Sequence, residues 1–332
     1  MSAWWPDVYA YEHGGSAGTT DNSSSINYPQ WAVSNDTTRK MIFSFWIKDE
    51  VRTAFQNERN IFSLNTSLTG AYTDNHGAKQ IFSVQLEDAA SDTRRLAVRF
   101  GDGTSDSANT TRRVWFTENA VISASQWTHV LVATDGYVSG SNLAAAGTDN
   151  YNWQENPECG VCIWVNGHRQ ILRRNNHAGT IYGIMNGAIN TSGGGYFAIG
   201  GGCYAYRQGD SWQYDANNMY IDEFAMWQGT STGSLVSSSI PSEVYNSGQY
   251  HNLKKTTLGE PHLYYRFGDD PADPQTGSMT SQNIIHDQST NKRHATVTID
   301  GRSAGRMIMI SASAPGTTSS AESFTSTTRE TW

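Results

Sequence analysis

The heptapeptide MIFSFWI (41–47) leaves a folding chain few options. On a strand, successive side chains point to opposite faces. Ile42, Ser44 and Trp46 therefore fall on one face and Phe43, Phe45 and Ile47 on the other. Both faces are largely apolar, so the strand has to be covered twice, inside a packed sandwich. Runs of the same kind recur as NIFSL (60–64), QIFSVQLE (80–87), RLAVRF (95–100), RVWFT (113–117) and WTHVLVAT (127–134). They continue with VCIWVNG (161–167), YFAIG (196–200), MYIDEFAMW (219–227), HLYYRF (262–267) and ATVTI (295–299). Gly, Asn, Asp and Ser turns separate them, which predicts an all-β fold, a two-sheet antiparallel jelly-roll sandwich. Only IPSEVYNSGQ (240–249) reads as a short helix, with Pro241 in its first turn, Ser239 or Ser242 as cap and Gly248 as stop.

Composition agrees with that reading. Of 332 residues only 16% are charged and 37% hydrophobic, a balance that suits short strands and polar turns better than amphipathic helices. A net charge of -8 without a Lys/Arg cluster argues against non-specific nucleic-acid binding. The first residues, MSAWWPDVYAYEHGG, have no basic stretch followed by an apolar one, so no secretory signal is expected. No apolar run approaches the ~20 residues that span a bilayer, so no membrane partner is expected. Three cysteines make a poor disulfide framework and fit a chain made in a cytoplasm. The sandwich is expected over residues 26–302. A polar N-terminal leader arm (1–25) would precede it, and a Ser/Thr-rich tail (303–332) with little to bury would follow it in a disordered state.

Several segments, in order, carry a resemblance. FSFWIK (43–48), QWTHVLVATDG (126–136) and CIWVNGHRQ (162–170) come first, the last with Asn166-Gly167 suited to a type I′ turn. They are followed by YIDEFAMWQGTSTGSLVSSSIPSEVYNSGQ (220–249), HLYYRFGDDPAD (262–273) and IIHDQSTNKRHATV (284–297). Together, over roughly residues 26–300, they resemble the laminin-G-like, concanavalin A-like jelly-roll family, which includes lectins and glucanases. The resemblance implies the sandwich fold and a tendency to bind glycans or proteins, sometimes with calcium; a fold does not choose among these. It also implies that Asp222 bonds neighbouring backbone.

The glucanase branch can be tested on the sequence. A retaining glycosidase needs two carboxyl groups about 5–5.5 Å apart. A catalytic block centred on Asp222 would need acids at 220 and 224, where the chain has Tyr220 and Phe224. On a regular strand Glu223 would face away from Asp222, so no catalytic residue is expected. Asp269, Asp270, Asp273 and Asp287 supply hard oxygen ligands and make calcium a candidate cofactor, although acid-rich turns are commonly solvated Asx-turns. Cys159 and Cys162 form a single CxxC with Cys203 distant, which reads as small core residues rather than a zinc or redox pair.

Binding chemistry concentrates elsewhere. GGGCYAYRQGDSWQYD (200–215) interleaves Tyr204, Tyr206, Trp212 and Tyr214 with Arg207, a pattern suited to stacking sugar rings or to a protein interface. Trp4, Trp5 and Trp332 are large apolar groups near the chain ends and are candidate assembly anchors. The sequence therefore favours a non-enzymatic structural protein of a virus or bacteriophage particle, as a capsid decoration or a head- or tail-associated subunit. It would dock to other virion proteins through its termini, as a homo-oligomer or in a lattice. The alternative is a carbohydrate-binding adhesion module for host attachment, and the least favoured reading is a glycoside hydrolase.

Overall fold

The structure is a computed structural model. It describes residues 9–14, 25–31, 40–49, 58–65, 80–90, 93–100, 113–136, 160–175, 195–200, 205–208, 211–214, 219–249, 252–267, 272–273, 277–278, 283–298 and 306–311. Strands are numbered in chain order. The first sheet runs β11 (His168–Arg169), β10 (Val161–Val165), β9 (Thr128–Thr134), β3 (Met41–Asp49), β16 (Met219–Gln228), β1 (Tyr9–Gly14), β21 (Arg306–Ser311) and β18 (Gly277–Ser278). Strand β17 (Leu263–Tyr265) also pairs with β16. The second sheet runs β12 (Leu172–Asn175), β7 (Arg113–Thr117), β6 (Thr93–Phe100), β5 (Gln80–Ala90), β4 (Glu58–Asn65), β13 (Gly195–Gly200), β2 (Ser25–Trp31), β20 (Ala295–Thr298) and β19 (Ile284–Ile285). Strand β8 (Ile122–Ser123) joins β6. A separate hairpin pairs β14 (Ala205–Gln208) with β15 (Ser211–Tyr214). Every described ladder is antiparallel, and the fold is the expected two-sheet jelly-roll sandwich.

The two faces of MIFSFWI go where their alternation sends them. Phe43, Phe45 and Ile47 join the core between the sheets with Phe62, Phe82, Phe197 and Phe224. Phe43 lies 4.6 Å from Phe62 between ring centroids, and Phe45 stacks on Phe224 at 5.9 Å. Burying each such ring stabilises the sandwich by roughly 1.5–3 kcal/mol. Ile42 joins a second cluster on the outer face of the first sheet, with Leu131, Ala133, Cys162, Trp164, Ala225 and Trp227. Leu235 of helix α1 (Thr232–Val236) and Val244 of helix α2 (Ile240–Tyr245) cover that cluster.

Helix α2 matches the expectation, with Pro241 in its first turn and Ser239 at the N-cap position, but the stop is Asn246 in the left-handed conformation rather than Gly248. Helix α1 was not expected. Its five residues carry no apolar period, and it forms because Ser231 Oγ accepts the Ser234 N–H while Asp135 takes both the N–H and the hydroxyl of Thr232. Both chain ends also depart from expectation. Strands β1 and β21 pair with each other from Tyr9↔Ser311 to Gly14↔Arg306 and extend the first sheet past both expected boundaries. The sequence signal in the tail was the apolar run Met307–Ile310, hidden in a Ser/Thr-rich composition.

An ion pair ties the sheets together at one end. Arg94 Nε of β6 lies 2.7 Å from Asp49 Oδ2 of β3, with side chains 1% and 0% exposed. The Asp49 carbonyl accepts the Ser125 N–H and the Arg94 carbonyl accepts the Val121 N–H, so the same two residues anchor the β7–β9 connection. Removing one partner leaves a buried charge uncompensated. Arg94→Met is expected to cost about 3–5 kcal/mol in urea unfolding. Asp49→Asn with Arg94→Met together should cost less than the sum of the single changes.

Candidate functional site

The two acids of MYIDEFAMWQ do not follow a regular strand. In the ladder with β3, Asp222 pairs with Trp46 and Ala225 with Ser44, so Glu223 and Phe224 together oppose Phe45. This is a β-bulge, and Glu223 adopts the left-handed conformation within it at φ 48. Opposed residues share a face, which puts Asp222 on the helix-covered side with Trp46. The extra residue turns Glu223 to that side as well, where its carboxylate accepts from Tyr264 Oη and, at 2.6 Å, from Arg266 Nε. The expectation that the acids face opposite sides is thereby corrected; it assumed an unbroken period of two. Tyr220 shares the face of Asp222 as expected, but the bulge turns Phe224 away from that face. Tyr220 sits beneath the Lys48 ammonium at 4.3 Å, and Phe224 is in the core.

Both acids are engaged. Asp222 is fully buried and its Oδ1 accepts the Glu223 N–H at 2.8 Å, the backbone contact expected of it. The Glu223 side chain is 4% exposed and each of its oxygens has a donor. Beside them Ser44 Oγ and His129 Nε2 are 2.9 Å apart, both residues 1% exposed. Trp46, Val244, Gln249 and Leu253 close the space, leaving about 10 Å³ for the centre of a water molecule. That is room for roughly one water.

The acid-rich closing segment is also knit into the backbone. Asp287 is fully buried. Its Oδ1 accepts the N–H groups of Tyr264 and Ser289, and its Oδ2 accepts the Ser289 hydroxyl and the Arg293 N–H. Asp273 Oδ1 takes both the backbone N–H and the ring Nδ1 of His286. Protein donors thus hold both oxygens of Asp287 and Oδ1 of Asp273. Among the described residues no three His, Cys, Asp or Glu side chains converge as metal ligands. Asp269 and Asp270 lie outside the described residues. Next to this loop His262 is pushed down to about 4, by burial first and by the Arg293 guanidinium second, partly offset by Asp287.

The aromatic stretch forms the β14–β15 hairpin. Its register opposes Ala205 to Tyr214, Tyr206 to Gln213, Arg207 to Trp212 and Gln208 to Ser211. Alternation then places Arg207, Trp212 and Tyr214 on one face of the hairpin and Tyr206 on the other. Tyr204, Trp4, Trp5 and Trp332 lie outside the described residues, as do Cys159 and Cys203. Cys162 is buried and faces Ala133 across the β9–β10 ladder, packed in the outer cluster.

No family model matches the sequence, and no curated protein matches it. Solved structures with a similar outline include a heptameric pentraxin from Limulus polyphemus, at 14% identity and TM-score 0.39 over 70% of this chain and 82% of that one. A protein from Bacteroides ovatus described as carbohydrate binding matches at 12% identity and TM-score 0.44, over 93% of this chain and 62% of that one. The enzymatically active domain of tailspike protein 2 from bacteriophage CBA120 matches at 12% and 0.35, over 69% and 26%. Likeness at this level says nothing about ligand or activity.

Two outcomes follow from the geometry. Glu223→Gln should keep the fold by circular dichroism but lose about 2 kcal/mol in urea unfolding, since it weakens a charge-assisted bond. For His262 the folded state holds fewer protons than the unfolded chain between about 4 and 6.5. Its contribution to stability is therefore full above pH 6.5 and is lost as pH falls toward 4. His262→Gln should flatten that part of a plot of unfolding free energy against pH.

Proposed function

We propose that the chain is a non-enzymatic, lectin-like binding module whose ligand-contacting element is the β14–β15 hairpin. The observation that carries this reading is the register of the hairpin, which brings Arg207, Trp212 and Tyr214 to one face. Indole and phenol rings stack on the C–H faces of pyranose rings, and a guanidinium supplies several donors to sugar oxygens. A two-stranded hairpin outside both main sheets can present that face without competing with the core. The acids support the same reading from the other side, because Asp222 and Glu223 are spent on the bulge and on Tyr264 and Arg266.

A second reading, a structural role in a virus particle, is favoured by the register of the chain ends. Strands β1 and β21 are neighbours, with Tyr9 opposed to Ser311. Trp4 and Trp5 precede this strand pair in sequence and Trp332 follows it, and in this reading they are the anchors to a neighbouring subunit. The two readings are compatible: such a protein would sit in the particle by its ends and touch surface glycans through its hairpin.

Glycan-array binding by the full chain tests the first reading. Trp212→Ala should abolish binding with an unchanged melting temperature. Binding that survives this change, and Arg207→Ala as well, would remove the hairpin from the function.

A further inference from the structure

The chain between β19 and β20 leaves the second sheet, touches the first and returns. Ile285 pairs with Ala295 in the second sheet, while Asp287 bridges to Tyr265 of β17 and the Gln288 N–H donates to the Tyr264 carbonyl. The turn 288–293 that follows lies at the surface, with Thr290, Asn291 and Lys292 exposed. Lys292 takes the left-handed conformation at φ 51, a strain that the turn's contacts have to offset. Those contacts converge on His262. Ser289 Oγ and Asn291 Nδ2 donate to its carbonyl at 3.3 and 3.0 Å, and Tyr265 Oη donates to the Arg293 carbonyl at 2.7 Å. The half-buried His262 ring completes the closure, with Nε2 2.5 Å from Arg293 Nη1.

The partner decides the chemistry of this contact. A guanidinium has donors and no acceptor, and it keeps its charge in a protein. His262 Nε2 must therefore accept, which only the neutral ring can do. A proton on Nε2 removes the lone pair and sets an imidazolium against a guanidinium at contact distance. The charges around the ring do not compensate for this. Asp287 has both oxygens occupied by the Tyr264, Ser289 and Arg293 N–H groups and the Ser289 hydroxyl. Glu260, on the chain entering β17, accepts the Thr290 N–H and lies 3.5 Å from Lys254 of the turn Leu253–Lys255. On β16 the His262 N–H meets the Met226 carbonyl, and Glu223 holds Tyr264 and Arg266. Within the same connection His286 and His294 pack edge to face, His286 on the Asp273 carboxylate and His294 on the Asp287 N–H. Burial first and Arg293 second hold the His262 ring neutral down to about 4, against the smaller pull of Asp287.

We propose that His262 and Arg293 form an acid-sensitive lock on the 288–293 turn: a proton on the ring expels the guanidinium and frees the turn while both sheets stay folded. The opening is local because its two ends are held by contacts that do not involve the ring. The pairs Ile284↔Thr296 and Ile285↔Ala295 keep the feet of the turn in the second sheet. The His286 contact with Asp273 runs from an imidazole to an acceptor, so a proton on that ring breaks nothing. Strand β17 keeps its ladder to β16 from Phe224↔Tyr265 to Met226↔Leu263. Acid thus detaches one surface turn from the joint between the sheets, and the strained backbone at Lys292 favours its release.

The test is hydrogen–deuterium exchange of the full chain at about pH 7.5 and about pH 5, corrected for the intrinsic pH dependence of amide exchange. The Ser289 and Arg293 N–H groups, both bonded to Asp287 in the closed turn, report its opening. Their opening equilibrium should rise about 25-fold between the two conditions, as for a ring that titrates near 4 when closed and near 6.5 when open. Strands β3 and β9 should show no such rise. His262→Gln keeps an acceptor for Arg293 but takes up no proton, so it should abolish the rise, whereas His286→Gln should retain it. No rise in the unmodified chain, or an equal rise over β3 and β9, overturns the proposal whatever the variants do. So does a rise that persists in His262→Gln or disappears in His286→Gln.

Discussion

One inserted residue governs the middle of the first sheet. Strand β16 keeps β3 on one side along its length, but on the other side it pairs with β1 before the bulge and with β17 after it. The bulge lies between those two partners, at Glu223. On an unbroken strand Glu223 would project into the phenylalanine core, where an ionised carboxylate without a partner costs several kcal/mol. The left-handed backbone at Glu223 costs on the order of 1–3 kcal/mol. That strain is the smaller term, and it delivers the carboxylate to Tyr264 and Arg266, which hold β17 against β16.

The second consequence of the same sheet is its outer cover. Ile42, Trp164, Ala225 and Trp227 present an apolar face that the β3 alternation makes unavoidable, and α1 and α2 exist to close it. The Asn166-Gly167 turn bends next to Tyr245 of α2. Gly167 has φ +76, and a Cβ there would stand 2.9 Å from the Tyr245 ring. Helix, hairpin and sheet therefore meet at a place where only glycine fits. His129 and Trp46 pack against the same tyrosine, with centroids 5.7 and 6.2 Å away. Polar groups are enclosed here to complete a wall.

Much of this was legible in the sequence. Alternation in MIFSFWI announced both cores, Asn166-Gly167 announced its turn by the positive φ that both residues adopt, and Pro241 announced α2. The bulge was not legible, because Glu223 is neither glycine nor asparagine and nothing local marks it as an inserted residue. Its donors, Tyr264 and Arg266, lie about forty positions away, across a ladder that only the fold creates. Helix α1 and strand β21 were missed for related reasons: one depends on a distant Asp135, the other on partners at the opposite end of the chain.

The central claim is that the acids of β16 build the fold while recognition takes place elsewhere. Hydrogen–deuterium exchange of the full chain, with and without a saturating neutral oligosaccharide found to bind it, reads this directly. Ligand-induced protection should appear over the β14–β15 hairpin, with β16 and β17 equally protected in both states. Protection that appears instead over 219–228 and 262–266 would place the ligand at Asp222 and Glu223 and contradict the account.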